Sequence, residues 1–360
     1  MPDTTWPDRR IQDLLKIELP IIQAPMAGFV TAAMVIAVSE AGGLGSVPCA
    51  LMTAGQIREE LSLIRCQTAR PINLNFFCHA TPKADAERDR RWKERLAPYY
   101  VECGLDPTAP VPSSSRTAFD DETCAVVEEF RPEAVSFHFG LPSQNLVSRV
   151  KATGAKVLSS ATTVQEAKWL EERGCDAIIA QGAEAGGHRG MFLTLDVATQ
   201  VGTMALVPQV ADAVRVPVIA AGGIADARGI AACFALGASA VQLGTAYLFC
   251  PEAKLSALHR QALKTAGDHE TAITNVFTGR PARGFVNRLI REVGPVSDLA
   301  PQFPLAAGAI GPIRAKAEAS GSDDFTPLWS GQAAYAGREL PAGELTNRLA
   351  EETLAIWRRG

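Results

Sequence analysis

The sequence predicts an α/β protein: a (β/α)8 barrel of the TIM type, with a smaller, mostly helical capping domain and a rim insertion after the third strand. Three observations support this fold class. Short apolar runs alternate with longer segments of helical periodicity, the runs are continuously apolar rather than alternating, and several helical segments are followed by glycine. An open, doubly wound parallel sheet is the alternative fold.

The apolar runs are the predicted strands of the barrel. Val, Ile and Ala dominate them, as expected for parallel strands that helices cover on the outside. We predict strands at residues 21–26, 44–47, 72–77, 134–139, 156–160, 177–181, 216–221 and 240–243.

Helices are predicted between these strands, because apolar residues recur there at three- and four-residue spacing. We predict them at residues 31–41, 54–66, 122–130, 143–153, 163–173, 199–214 and 225–236. Gly42, Gly154, Gly174 and Gly237 follow four of these helices, where a residue without Cβ suits a left-handed C-cap.

One segment interrupts the repeat within the barrel. Residues 79–121 separate the third strand from its helix and are rich in charged residues, Pro and Ser. This composition predicts an insertion on the catalytic rim. The mixed charges at residues 88–95 are typical of a solvated helical face.

The chain continues well beyond the eighth strand. Helical stretches there are separated by Gly- and Pro-rich loops, and no internal repeat appears beyond the strand–helix alternation. We therefore predict a barrel over residues 1–250, a helical cap over residues 251–325, and a C-terminal segment, residues 326–360, that packs back on the barrel.

Composition excludes several classes of protein. The chain has 47% hydrophobic and 21% charged residues and a net charge of −4, which is typical of a globular protein without a nucleic-acid partner. The eight cysteines form no C-x-x-C pair, so neither a metal site nor a disulfide framework is expected. There is no signal-peptide pattern and no run of ~18 apolar residues, which predicts a cytoplasmic protein with no membrane partner. The oligomeric state stays open, with a homodimer as one option.

His138 is the most informative single residue. It stands in the sequence AVSFHFG at the end of a predicted strand, with no charged residue beside it. A histidine at a strand's C-terminal rim is a candidate acid, base or anion anchor. The alternative is a structural histidine whose two ring nitrogens bond to the backbone.

The loops after the predicted seventh and eighth strands suggest a phosphate site. Barrels of this type often bind phosphate there, where glycine lets the backbone approach closely and a helix N-terminus favours an anion. Gly222 and Gly223 follow the seventh strand, and Gly244 with Thr245 follows the eighth. Neither a G-x-x-x-x-G-K-[ST] nor a G-x-G-x-x-G motif occurs, which favours a tightly bound cofactor over phosphoryl transfer.

Polar side chains follow two other strands. Asn75 and Gln181 offer amide groups of the kind that a flavin ring or ribityl chain requires, although strand-end hydrogen bonding would explain them equally. The loop EAGGHRG at residues 184–190 adds His188 and Arg189. It could cover an anionic group, or direct its charges to water.

Six stretches together resemble the nitronate monooxygenases, formerly called 2-nitropropane dioxygenases. They are PIIQAPMAG at 20–28, GGLGS at 42–46, NLNFFCH at 73–79, VSFHFGLP at 135–142, QGAEAGGHRG at 181–190 and AAGGIADARGIAACFALGASAVQLGT at 220–245. The combination is similar to the branch of the family that oxidises nitronates with FMN and molecular oxygen. It spans most of the predicted barrel.

This resemblance implies a capped barrel that holds FMN noncovalently at the strand ends, with His138 as the active-site histidine. The candidate cofactor-binding residues are Ala24, Pro25, Met26, Asn75, Gln181, Gly186, Gly187, Gly222, Gly223, Gln242, Leu243, Gly244 and Thr245. His188 and Phe303 are candidates for contact with the substrate. Some family members carry tyrosines and a lysine in the cap cavity, whereas residues 303–316 contain no Tyr here and place Phe303, Ala307 and Gly311 at those positions.

The expected reaction is oxidative denitrification of an alkyl nitronate, with O2, to a carbonyl compound and nitrite. His138 would act either as a neutral base on a nitroalkane or as an imidazolium that holds the nitronate oxygen. An NAD(P)H:quinone or enoyl reductase of the same barrel type is the alternative enzyme. A flavin-free aldolase, isomerase or binding protein is the third reading, although no lysine or pair of carboxylates stands at the strand ends.

Overall fold

The computed structural model describes residues 6–83, 85–112 and 116–359; residues 84 and 113–115 of the predicted insertion, and the chain ends at 1–5 and 360, lie outside the described residues. The strands are β1 (Ile21–Gln23), β2 (Gly45–Pro48), β3 (Ile72–Phe77), β4 (Ala134–His138), β5 (Lys156–Ala161), β6 (Ala177–Gln181), β7 (Gly187–His188), β8 (Val218–Ala221), β9 (Ala240–Leu243), β10 (Thr271–Thr274) and β11 (Ala282–Phe285). They form two sheets.

The α-helices lie before and between the strands of the larger sheet, in the insertion after β3, and after the last barrel strand, β9. They are α1 (Arg10–Leu15), α2 (Ala32–Glu40), α3 (Ala54–Arg65), α4 (Ala86–Glu102), α5 (Asp121–Phe130), α6 (Gln144–Ala152), α7 (Val164–Glu172), α8 (Thr203–Ala213), α9 (Ala227–Ala235), α10 (Thr245–Leu248), α11 (Ala257–Lys264), α12 (Arg288–Val293), α13 (Ala306–Ala319) and α14 (Ala342–Arg359). Each of the described helices is too short or too polar to span a bilayer.

The larger sheet is a closed parallel barrel, which confirms the predicted fold class. Its strand order is β1-β9-β8-β6-β5-β4-β3-β2, with all pairs parallel. A parallel bridge between Ile22 and Leu44 joins the first strand to the second and closes the cylinder. All loops that follow the strands therefore open on one face.

Most strands lie where the sequence predicts them, and β3, β6 and β9 agree at both ends. The first strand is shorter than predicted, since it ends at Gln23 rather than at residue 26. Residues 24–28 turn away instead, and the Phe29 N–H donates to the Met26 carbonyl. The helix predicted from residue 199 begins at Thr203, directly after Gly202.

The inside of the barrel is apolar at its N-terminal end. Ile11 and Leu15 of α1 pack in one cluster with Ile22, Leu158 and Ile219 from the strands. The short helix thus seals the end opposite to the loops. Burial of this apolar surface fixes the barrel, and it leaves the carboxyl ends of the strands as the open face.

The rim insertion and the cap share one hydrophobic core. Trp92 and Tyr100 of α4 pack against Ile310 and Ile313 of α13, and the Tyr100 hydroxyl donates to the Ala309 carbonyl at 2.6 Å. The mixed charges predicted at 88–95 do lie on a helix, but that helix also has a buried face. The insertion is therefore anchored to the cap rather than standing alone on the rim.

The cap also contains a small antiparallel sheet, which the sequence did not indicate. Its order is β10-β11-β7, and β7 comes from the glycine-rich loop after β6. Pairing of Ala282 with His188 ties the cap directly to that loop. Cap and barrel rim are thereby held in a fixed register at the open face.

Candidate active site

A cavity lies at the carboxyl ends of the barrel strands and measures roughly 1320 Å³, including its mouth open to solvent. Most of the predicted site residues line it together: Ala24, Pro25, Met26, Asn75, His138, Gln181, Gly186, Gly187, His188, Gly222, Gly223, Gln242, Gly244 and Thr245. Two candidates lie behind its wall. Leu243 is buried in the barrel core, and Phe303 is buried against aromatic rings of the rim.

One end of the cavity presents backbone donors. Gly222 and Gly223 have φ values of +107° and +71°, a left-handed conformation that favours glycine. In the described chain, the N–H groups of Gly223, Gly244 and Thr245 donate no hydrogen bond to another residue. Three unpartnered donors on two neighbouring loops fit a phosphate group.

A segment near the C-terminus contributes to the cavity wall, and its Trp329 ring lies 5.7 Å from the ring of His188. Trp329, Gly331 and Ala333 line the cavity, and the Gly331 N–H donates to Thr245 Oγ1 at 2.9 Å. The Gln332 N–H donates to the Glu184 carbonyl at 3.0 Å. The sequence predicted that this segment packs back on the barrel, but no motif indicated that it contributes to the site.

Gln181 organises the glycine-rich loop. Its Oε1 accepts from the Gly190 N–H at 2.7 Å, and its Nε2 donates to the His188 carbonyl at 3.1 Å. Arg189 is fully buried, donating to the Gln181 carbonyl and to Gln200 Oε1. Both predictions for Arg189 are therefore wrong, since its charge neither covers the cavity nor points to water. The side chain stabilises the loop from the side away from the cavity.

The amide of Asn75 is only partly used by the protein. Its Nδ2 donates to the Ser136 hydroxyl at 2.9 Å, and no described residue hydrogen-bonds to its Oδ1. Within the described chain, the side chain of Gln242 has no hydrogen-bond partner either, and it lines the same cavity. Both amides therefore retain groups that can bind a ligand.

His138 faces the cavity with both ring nitrogens engaged. Nε2 lies 3.0 Å from the His188 carbonyl, and Nδ1 lies 3.0 Å from Ser160 Oγ. Because a carbonyl only accepts, Nε2 carries the proton and Nδ1 accepts from the Ser160 hydroxyl. A purely structural histidine would bond both nitrogens to the backbone, whereas here only Nε2 does so and Nδ1 bonds to a side chain. Burial, aided by the charges of Arg280 and Arg189, lowers the pKa of His138 to about 4.

The residue after His138 holds an unusual conformation. Phe139 has a φ of +73°, which costs a residue with a side chain roughly 1–2 kcal/mol. The Arg280 guanidinium lies 3.8 Å from the centre of the Phe139 ring. Strain of this kind is typical of functional sites, where the surrounding packing maintains it.

His188 has a freer ring. Its Nε2 lies 3.0 Å from Thr278 Oγ1, whose own hydrogen is directed to the Arg280 carbonyl at 3.3 Å. Nε2 therefore donates, and Nδ1 carries the lone pair with no hydrogen-bond partner in the described chain. Burial, followed by the positive charge of Arg116, holds the pKa of His188 well below its ordinary value.

Aromatic rings surround the two histidines. The ring of Phe303 lies 5.3 Å from that of His188 and 6.1 Å from that of Phe77, which in turn lies 5.7 Å from the ring of His138. Phe303 therefore supports the imidazoles from behind. Of the other two cap positions, Ala307 and Gly311, neither lines the cavity.

Arg116 is the one charged side chain among the described residues that line the cavity. The described residues of the cavity wall include no lysine and no carboxylate, the groups on which an aldolase usually depends. No group of three His, Cys, Asp or Glu side chains suited to a metal ion occurs in the described part of the chain. Arg116 lies in the irregular insertion, where no periodicity or motif predicts a site residue.

This is a (β/α)8-barrel protein with a ligand-sized cavity at the carboxyl ends of its strands, lined by backbone donors that are unpartnered in the described chain and by two histidines of lowered pKa. The family model described as nitronate monooxygenase matches residues 8–352. The nitronate monooxygenase of Pseudomonas aeruginosa is 44% identical over 345 residues, which cover 95% of this chain and 98% of that protein.

Two solved structures resemble the whole chain. The nitroalkane oxidase of Streptomyces ansochromogenes has a TM-score of 0.87 and 38% identity, covering 97% of this chain and 99% of the other. FabK of Thermotoga maritima has a TM-score of 0.75 and 28% identity, covering 99% and 98%. The chain belongs to the nitronate monooxygenase family.

Proposed function

We propose that the protein catalyses FMN-dependent oxidative denitrification of alkyl nitronates with O2, giving a carbonyl compound and nitrite. The observation that supports this most directly is one cavity lined both by backbone donors unpartnered among the described residues and by His138 and His188. Membership of the family and the similarity to a nitroalkane oxidase support the reaction class.

The donors of the cavity fit FMN. Gly223, Gly244 and Thr245 offer unpartnered N–H groups for the phosphate, since no other described residue uses them. Asn75 and Gln242 offer amide groups for the polar edge or the ribityl chain. When bound, FMN would supply the redox chemistry, taking up electrons from the nitronate for transfer to oxygen.

The two histidines would act as neutral imidazoles. A neutral ring can remove the α proton of a nitroalkane, but it gives an anion no compensating charge. His138 remains our proposed catalytic residue, with Nδ1 available once the Ser160 hydroxyl turns away. The structure adds His188 as a second candidate base, because its Nδ1 is already free of hydrogen bonds to described residues.

The proposal is tested with the purified protein. We expect a flavin absorbance spectrum, release of FMN on acid denaturation, bleaching by ethyl nitronate without oxygen, and nitrite formation in air. A colourless protein without affinity for FMN, or one bleached rapidly by NADH or NADPH but not by nitronate, would contradict it. The second outcome would instead favour the reductase.

The base is identified by comparing two substrates. In the His138→Gln and His188→Gln variants, loss of the base lowers turnover of nitroethane by ~10²–10⁴-fold, whereas preformed ethyl nitronate needs no deprotonation. The base is the histidine whose variant loses turnover of nitroethane but retains turnover of ethyl nitronate. If both variants turned over both substrates as fast as the unmodified protein, neither histidine would take part in the reaction.

The cytoplasmic location and the homodimer stay predictions.

A further inference from the structure

Arg116 has no counterion in the described chain. It lines the cavity, and it makes neither an ion pair nor a side-chain hydrogen bond with any described residue. The charged neighbour that acts on it is Arg314, another cation. Burial and this like charge lower the pKa of Arg116, which nevertheless stays protonated because a guanidinium starts so high.

Arg116 lies at the end of the cavity that holds the histidines. Its Cζ is 5.5 Å from the centre of the Phe303 ring, and that ring is 5.3 Å from the His188 ring. It is also the strongest charge acting on His188. Gly223 and Thr245, which follow β8 and β9, take no part in these contacts.

A partly buried guanidinium without a carboxylate is unfavourable until an anion joins it. Its planar array of donors matches two oxygens on one atom. Neither His138 nor His188 can take this role near neutral pH, because the pKa of each lies well below 7. Among the described residues that line the cavity, Arg116 is therefore the one cation available for an anionic substrate.

We propose that Arg116 is the residue that recognises the anionic N–O group of the substrate and selects a nitronate over the neutral nitroalkane. The identity of this anion rests on the proposed function. A nitronate carries its charge on two oxygens of one nitrogen in a plane, whereas the nitroalkane has no net charge to pair with the guanidinium.

The test measures equilibrium binding of sodium nitrate, a planar anion with oxygens on nitrogen, and of neutral nitroethane. Isothermal titration calorimetry is run on the purified protein as isolated, at millimolar ligand and without oxygen. Arg116→Met removes the charge at similar length, and Arg116→Lys keeps the charge. Arg314→Met is the matched control, because Arg314 pairs with Glu318 and lies outside the cavity.

We expect Arg116→Met to weaken nitrate binding by about 10- to 100-fold, the range for one charge-assisted contact, and nitroethane binding by less than about threefold. Arg116→Lys should recover most of the loss, and Arg314→Met should bind nitrate within about twofold of the unmodified protein. The KM for ethyl nitronate should rise with the nitrate Kd, while kcat changes less.

Three results would overturn the proposal: no nitrate binding by the unmodified protein, equal nitrate affinity in Arg116→Met, or equal weakening of both ligands. The last would show a structural role. If the protein releases no nitrite from ethyl nitronate but nitrate binding still depends on Arg116, the proposed function fails and anion recognition by Arg116 stands.

Discussion

The protonation state of His138 makes a sharp prediction about the pH dependence of turnover. Its pKa is lowered to about 4 by burial and by two nearby arginines. At pH 7 only about one molecule in a thousand would carry an imidazolium, and holding that proton would cost roughly 4 kcal/mol. Anchoring of a nitronate by a charged His138 is therefore strongly disfavoured.

The initial rate of oxygen consumption is measured with preformed ethyl nitronate at pH values from about 5.5 to 8. A histidine already neutral throughout this range gives a kcat/KM that stays constant within about twofold. If His138 instead holds the nitronate as an imidazolium, kcat/KM falls about tenfold for each pH unit above the pKa of the ring.

A fall of that slope beginning near pH 6.5 would show that His138 acts as an imidazolium. His138→Gln serves as the control, since any descending limb that persists in this variant belongs to another group. Ser160→Ala tests the tautomer, because it removes the hydroxyl bonded to Nδ1 at 3.0 Å and leaves the ring neutral. Its profile should therefore remain flat.

Three further predictions concern the cofactor and stability. Gly223→Ala should weaken FMN binding about tenfold, measured by flavin fluorescence, because φ is +71° and a Cβ would lie 3.2 Å from the Glu184 Cβ; an unchanged Kd would contradict the phosphate assignment. Trp92→Ala should lower the free energy of unfolding by about 3–5 kcal/mol in urea, whereas a loss below about 1 kcal/mol would contradict the core shared by insertion and cap. Buried His259, with a pKa lowered to about 4, should make the protein less stable as the pH falls from about 6.5 to 4, since only the unfolded chain binds its proton there. Its share of the loss is roughly 2 kcal/mol at pH 5, and His259→Gln should remove that share while the shares of His138 and His188 persist.

The barrel strands could be predicted because each is a continuous apolar run between turn residues. Residues 72–77, 177–181 and 240–243 agree with the structure at both ends. The first strand could not be delimited, since Ala24 and Met26 are as apolar as the strand. Pairing with the neighbouring strand stops after the bond from the Ala24 N–H to the Leu243 carbonyl, because the next residue, Pro25, has no N–H to continue it.

The candidate site likewise contains some residues that the sequence predicts and others that it does not. Side chains at strand ends, such as Asn75 and His138, were predictable because parallel strands in a barrel present their carboxyl ends on one face. Arg116, Trp329 and Gly331 were not, because they lie in irregular segments with no periodicity to place them. Only the packing of the cap brings these residues to the cavity.

The two histidines cannot be treated as independent sites. The His188 carbonyl accepts hydrogen bonds from both His138 Nε2 and Gln181 Nε2, so two strand-end side chains set the backbone of the loop that carries the His188 ring. Removing His138 would release one of these bonds and let that ring shift. A loss of activity in a His138 variant therefore has two origins, proton transfer or the placement of His188. Substitution by Gln retains a side-chain donor, and comparing it with Ala separates the two origins, because a positioning role is rescued by the donor and a base is not.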